Sequence, residues 1–321
     1  LDEASRKMAL YVNAQTISTV VFLLIVLGWF LKKRGVMTEE FRAKATTLVF
    51  CWALPASLLK QVAESDIAAM FSLKFTVFAV VSVTLMFALT WILAALLIKD
   101  KSQISAIVHG AYRSNYAYVG LPVISMITGK ESVPAAIMVV TFVLPFYNIL
   151  AILVFNHYSA GGKKLTLRQQ LLSIIKNPMI IGILLGLPFS LLHLPMPTIL
   201  GNTLSNLGRI ASPLGLLLIG AGLRMDTLSK KWQGITLGAI MKVVVSPVVC
   251  TLMAIPLYFT MDELATIYVL HAVPSAVNSY VMTVKMGGDE ETGAGIVMLS
   301  SLVSVITMTL GIFLLKQMRL I

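Results

Sequence analysis

Residues 109–122 read His109-Gly110-Ala111-Tyr112-Arg113-Ser114-Asn115-Tyr116-Ala117-Tyr118-Val119-Gly120-Leu121-Pro122. The stretch sits inside a long apolar run, yet it carries an arginine, a serine, an asparagine and three tyrosines ahead of a proline. It is too polar to face hydrocarbon and belongs against a cavity or against protein. A second run repeats the pattern as His271-Ala272-Val273-Pro274-Ser275-Ala276-Val277-Asn278-Ser279-Tyr280. Proline removes a backbone donor and clashes one turn back, so both runs predict helices broken at membrane depth.

The surrounding composition makes membrane depth the right frame. Of 321 residues, 58% are apolar and only 12% charged, with a mean hydropathy of +0.89. A soluble domain carries roughly 25% charged residues and keeps roughly a quarter of its unfolded surface in water. Disorder, a nucleic-acid module, a disulfide scaffold and a sizeable soluble domain are excluded. The net charge of +11 reads as basic cytoplasmic loops on a lipid bilayer, not as a nucleic-acid partner. Cys51 and Cys250 both lie in apolar stretches and suggest neither a disulfide nor a metal site. Opening on Leu1 instead of Met, the sequence reads as one whose N-terminus is missing or processed.

A span needs about 20 apolar residues. Ten segments qualify: 8–31, 43–63, 74–98, 104–128, 133–157, 176–193, 198–222, 233–259, 263–285 and 292–315. The first is too long for a signal peptide and ends in Lys32-Lys33-Arg34, a stop-transfer flank. The loops after spans 1, 3, 5, 7 and 9 hold 15 Lys and Arg against 7 on the other side. That bias puts the odd loops in the cytoplasm and both termini outside a multi-pass protein of the cytoplasmic membrane.

The longest loop, 158–175, leaves five spans on each side, 1–157 and 176–321. Five is odd, so the halves enter the membrane upside down relative to one another. Matching features support this inverted repeat. Leu54-Pro55-Ala56-Ser57-Leu58-Leu59 and Ser212-Pro213-Leu214-Gly215-Leu216-Leu217 lie 158 apart, and Pro122 and Pro274 lie 152 apart. Prolines are common in membrane helices, and chance is the competing account of the two matches.

No acidic residue lies in the middle of a span. A pump built on buried carboxylates lacks its carboxylates, and an aspartyl intramembrane protease lacks its pair. There is no HExxH motif, no Walker-type phosphate loop and no histidine cluster at metal-ligand spacing. Neither enzyme chemistry, a cofactor nor a metal is expected. What remains is basic and polar. Two polar, proline-interrupted spans in corresponding halves point to a transporter binding site. Broken helices aim the positive ends of their dipoles into such a site, so an anion is the expected ligand. Arg113 reads either as part of that cavity or as a residue snorkelling to the cytoplasmic edge. His271 reads either as a proton-linked group or as a packing histidine. Asn148 is either a site residue or helix–helix glue. Lys242 is left unassigned, and the 17 Met residues read as gap-fillers.

At these residues the chain resembles the auxin efflux carrier family in its compact prokaryotic form. The resemblance runs over essentially the whole chain. It is carried by Leu54-Pro55-Ala56-Ser57-Leu58, by Ser114-Asn115-Tyr116-Ala117-Tyr118-Val119-Gly120-Leu121-Pro122, by Ser212-Pro213-Leu214-Gly215-Leu216, and by Pro274-Ser275-Ala276-Val277-Asn278-Ser279-Tyr280-Val281. The resemblance implies an all-α fold of ten helices in two inverted five-helix repeats, with helices 4 and 9 unwound and crossing. Spans 1, 2, 6 and 7 would form a scaffold through which a homodimer assembles. Spans 3–5 and 8–10 would form a transport domain moving as an elevator. The implied substrate is a small organic anion, auxin-like or dicarboxylic. The expected substrate site is Arg113, Ser114, Asn115, Tyr118, Gly120, Pro122, Tyr147, Asn148, Pro274, Ser275, Asn278 and Ser279; of these, the resemblance matches Asn115 and Pro274 to crossover positions and places Tyr147 and Asn148 near substrate contacts. Ser114 stands where the plant carriers have a proline. The sodium ligands of the related bile acid carriers are not evident, so sodium coupling is not expected. An uncoupled channel or uniporter and a metabolite-sensing membrane protein are the alternatives within this architecture.

Overall fold

Inside hydrocarbon every backbone N–H and C=O needs a partner from the chain itself, which leaves helices and closed barrels. A computed structural model describes residues 23–64, 72–130, 133–158, 168, 172, 175–222 and 229–321, apart from the side chains of Tyr118, Pro122, Met126 and Ser212. Among the described residues the chain is all-α, with one isolated β-bridge. The helices are α1 (23–33), α2 (Glu39–Ala63), α3 (Leu73–Leu97), α4 (Ile104–Tyr112), α5 (116–128), α6 (Pro134–Tyr158), α7 (Pro178–Leu191), α8 (Thr198–Gly222), α9 (Trp232–Leu257), α10 (Met261–Ala272), α11 (Val277–Lys285) and α12 (Glu290–Gln317).

Six of these, α2, α3, α6, α8, α9 and α12, are each long and apolar enough to cross a membrane. The expected spans 4 and 9 are each split into two shorter helices, α4 with α5 and α10 with α11. Span 6 appears as the short α7. Pro178 opens it, and the Asn177 side chain accepts a hydrogen bond from the Met179 N–H at 2.9 Å. The midpoint loop falls largely outside the described residues.

Prolines shape four of the helices without ending them. Five-residue π-turns occur at Val49–Ala53, Tyr116–Gly120, Val139–Val143 and Met241–Val245. Each is followed two residues later by a proline: Pro55, Pro122, Pro145 and Pro247. A proline ring crowds the carbonyl one turn earlier and offers it no N–H. Widening the preceding turn by one residue relieves both problems. Pro122 therefore widens α5, and the break in the fourth span falls earlier, at Arg113–Asn115. In the ninth span Pro274 sits inside the break itself, between Ala272 and Val277.

The broken helices lie at the centre of the bundle. All nine residues of α4 are buried, as is α10 from Leu264 to Ala272. The outer helices instead expose continuous apolar stripes, such as Val77, Val81, Leu85, Ile92 and Leu96 along α3. Their spacing of four and seven residues puts them on one face, and acyl chains are the solvent that face requires. Close packing at the periphery uses glycine. A Cβ on Gly182 of α7 would lie 2.5 Å from the Pro55 carbonyl oxygen of α2, so only glycine lets these backbones touch.

Candidate functional site

The two unwound segments are tied to each other where they cross. The Asn115 N–H donates to the Pro274 carbonyl at 2.9 Å, and the Ala276 N–H donates to the Arg113 carbonyl at 3.1 Å. Ser114 and Ser275 face one another in this short antiparallel bridge. The Ser275 N–H is taken by the Ser300 hydroxyl of α12 at 3.1 Å. The bridge thus satisfies groups that leaving the helix had exposed, a condition for irregular backbone inside a membrane.

Four helix ends meet here, with opposite electrical character. α4 and α10 bring carbonyl-rich C-termini, and α5 and α11 bring N–H-rich N-termini. The C-terminus of α10 is capped by charge. Lys242 of α9, fully buried, donates to the His271 carbonyl at 3.0 Å, to the Leu270 carbonyl at 3.4 Å and to the Ser114 hydroxyl at 2.6 Å. Ser114 in turn donates to the Leu270 carbonyl. The N-termini of α5 and α11 carry no such cap. Neither Asn115 nor Ala276 supplies a side-chain cap. The N–H groups of Tyr116, Ala117, Val277 and Asn278 have no acceptor within their own helices.

Beside these N-termini lies a cavity with about 440 Å³ of empty space, counted out to its open mouth. Arg113, Ser114, Asn115, Tyr147 and Asn278 line it, together with Ser57 and Gln61 of α2. Arg113 is 5% exposed, so it reaches the cavity and does not snorkel to the surface. Its guanidinium donates to the Asn148 side-chain oxygen at 3.0 Å, and Asn148 donates back to the Leu144 carbonyl at 3.2 Å. Among the described residues neither Arg113 nor Lys242 has a carboxylate partner. The Tyr147 hydroxyl lies beside Ser114 without a hydrogen bond of good geometry. The Asn115 amide makes no hydrogen bond to the described residues, and the residue lines the cavity.

The remaining expected site residues divide four ways. Pro274, Ser275 and Ser279 build the crossing backbone, with Ser279 donating to the Ala276 carbonyl at 2.7 Å and paired with the Ser275 hydroxyl at 3.1 Å. Gly120 packs on the Tyr116 ring, where a Cβ would come within 2.7 Å. The side chains of Tyr118 and Pro122 lie outside the described residues. His271 is off the cavity, with Nε2 3.0 Å from the Ser82 hydroxyl and Nδ1 2.8 Å from the Ser246 hydroxyl.

The family model described as membrane transport protein matches residues 17–312. The chain belongs to that family. It is also similar to an uncharacterized transporter from Methanothermobacter thermautotrophicus, with 24% identity over 292 residues, covering 90% of this chain and 94% of the relative. The resemblance drawn from the span motifs is therefore sound, and the protein is a multi-pass membrane transporter. In this transporter, Ser57 and Gln61 are lining residues that the sequence reading had not assigned to the site. Their four-residue spacing on the Leu54-Pro55-Ala56-Ser57 helix places both on one face, and the Gln61 amide donates to Ser57 at 2.8 Å. That spacing was the available signal.

Proposed function

We propose that this transporter is a secondary carrier of a small organic anion, a carboxylate of the auxin-like or dicarboxylic type, bound at the crossing of the fourth and ninth spans. One observation carries the proposal. Arg113, backed by neutral Asn148, shares a cavity with two half-helix N-termini whose N–H groups are uncapped. A buried cation without a counter-charge is costly, and an entering carboxylate supplies that counter-charge while accepting from the open N–H groups. The C-terminus of α10 is already held by Lys242, which directs the ligand to the Arg113 side.

The accompanying architecture is ten spans in two inverted repeats, working by an elevator-type alternation and assembled as a homodimer through the scaffold spans. Both termini lie outside the cytoplasmic membrane. The basic-loop asymmetry supports this orientation, and impermeant cysteine labelling of residues 158–175 from the outer face would overturn it.

The substrate class is tested by thermal shift of the purified protein against mono- and dicarboxylates, followed by countertransport in proteoliposomes. A ligand at a hundredfold its dissociation constant stabilises by about 2.7 kcal/mol. Stabilisation by carboxylates, together with exchange of labelled for unlabelled substrate, is the expected result. Stabilisation only by cations or neutral solutes would sink the anion reading. Binding without flux would favour a sensor, and flux without exchange a channel.

A further inference from the structure

Among the described residues, the crossing cavity connects toward the C-terminal end of α2. A second cleft continues from it, sharing Ser57, Gln61 and Ala117, and runs past Ser205 to Lys60 and Glu64 at the end of α2. The opposite end of α2 is closed by a different construction. Arg42, 8% exposed, forms an ion pair with Glu290 at the start of α12 and a second one with Glu39. Its Nη2 also lies 3.4 Å from the Tyr280 hydroxyl of α11. That hydroxyl is 2.9 Å from the Glu290 carboxylate and 3.0 Å from the Leu218 carbonyl of α8. Gly222 of α8 presses on the same knot, where a Cβ would lie 2.5 Å from Glu290 Oε1 and 2.6 Å from the Tyr280 hydroxyl. Lys285 at the end of α11 adds a bond to Thr47 of α2.

We propose that Arg42, Tyr280 and Glu290 form a latch that joins α2 and α8 to α11 and α12 and seals the cytoplasmic path to the crossing cavity. The latch rests on the carrier reading, whatever the charge of the ligand. A carrier must open its site to each side in turn. With one end open past Ser205, the other must be shut, and the groups that shut it must part in the opposite state. The latch suits that task. Its members come from positions up to 248 residues apart, so its bonds form only when the two groups of helices close on each other. Its charged hydrogen bonds are shielded enough to hold, yet Glu290 keeps a side-chain exposure of 31%, so water can reach and replace them. The sequence places this end in the cytoplasm through Lys32, Lys33, Arg34 and Lys285.

The test reads the conformation with no substrate present, so its failure is separable from failure of the anion reading. Ser205→Cys is introduced with Cys51→Ser and Cys250→Ser, and its labelling rate by a membrane-impermeant maleimide is measured from the outer face. Arg42→Gln in that background should lower the rate by roughly fourfold or more, as the equilibrium loses a charged hydrogen bond favouring the outward-open state. Tyr280→Phe, which removes one hydroxyl and keeps the ring packing, should lower it in the same direction and decides the matter if Arg42→Gln does not fold. Lys44→Gln, at an exposed pair within α2, should leave it unchanged. Unchanged labelling in Arg42→Gln and Tyr280→Phe overturns the latch, and so does an equal fall in Lys44→Gln.

Discussion

The Lys242 ammonium lies 2.6 Å from the Ser114 hydroxyl and 3.0 Å from the His271 carbonyl. One side chain from α9 thereby holds both unwound segments, the fourth span through Ser114 and the ninth through the end of α10. A cation at the C-terminus of a half-helix meets the negative end of its dipole and two orphan carbonyls at once. Ser114 is what allows the connection. A proline there would offer no hydroxyl either to accept from Lys242 or to donate to the Leu270 carbonyl.

Lys242→Met keeps the length of the side chain and removes its donors. The Leu270 and His271 carbonyls then lose a buried partner, at a cost of about 1–3 kcal/mol. The expected result is a lower melting temperature in detergent, with transport falling at equal expression. An unchanged melting temperature would mean that another donor takes over and that the lysine does not pin the crossing.

Asn148→Asp tests the charge argument. The new carboxylate would sit within hydrogen-bond reach of the Arg113 guanidinium and neutralise it from within the protein. Folding should survive, because a cation gains a counter-ion. Anion binding should weaken by roughly ten- to a hundredfold, the worth of one hydrogen bond to a charged group. Direct titration of the ligand found by thermal shift checks this, and undiminished binding would remove Arg113 from the site.

His271 reads differently once its neighbours are known. Both ring nitrogens are engaged by hydroxyls, from Ser82 on α3 and Ser246 on α9, and the ring lies off the cavity. A hydroxyl can accept from one nitrogen and donate to the other, which suits a neutral ring. His271→Gln should therefore leave the pH dependence of uptake as it is across the neutral range, while lowering thermal stability. A shifted pH profile would make the histidine part of proton coupling.

Much of this was legible in residues 109–122 and 271–280, because polarity inside an apolar run has few physical outlets. The location of the break in the fourth span was less so. Proline is the visible mark of an interrupted helix, but Pro122 produces a π-turn, and the chain leaves the helix at Arg113–Asn115. There the unwound segment is held by partners distant in sequence, Pro274 and Lys242. The four prolines that follow π-turns share one local pattern, yet nothing in it distinguishes a widened turn from a broken one. Lys242 defied assignment for the same reason. Snorkelling and pinning look alike until the opposing carbonyls are known. The contact of Arg42 with Glu290 joins positions 248 residues apart and carries no local signature at all.

The sharpest test of the site compares three substitutions that remove comparable amounts of side chain. Asn115→Ala deletes an amide that lines the cavity and has no bond to the described protein groups. Stability should change little, whereas ligand affinity should fall by roughly ten- to a hundredfold if the amide holds a carboxylate. Pro274→Ala acts on the backbone. It restores an N–H and releases the fixed dihedral, which lets α10 and α11 become more continuous and competes with the bridge in which the Pro274 carbonyl accepts from Asn115. Transport should fall even where the protein still inserts and folds, with a smaller effect on affinity. Pro256→Ala is the control, since Pro256 lies in an exposed turn at Ile255–Leu257, far along α9 from Lys242. It should transport like the parent. Uptake into proteoliposomes at matched expression, alongside ligand titration, separates these outcomes. If Asn115→Ala and Pro274→Ala both match the parent, the anion binds somewhere other than the crossing.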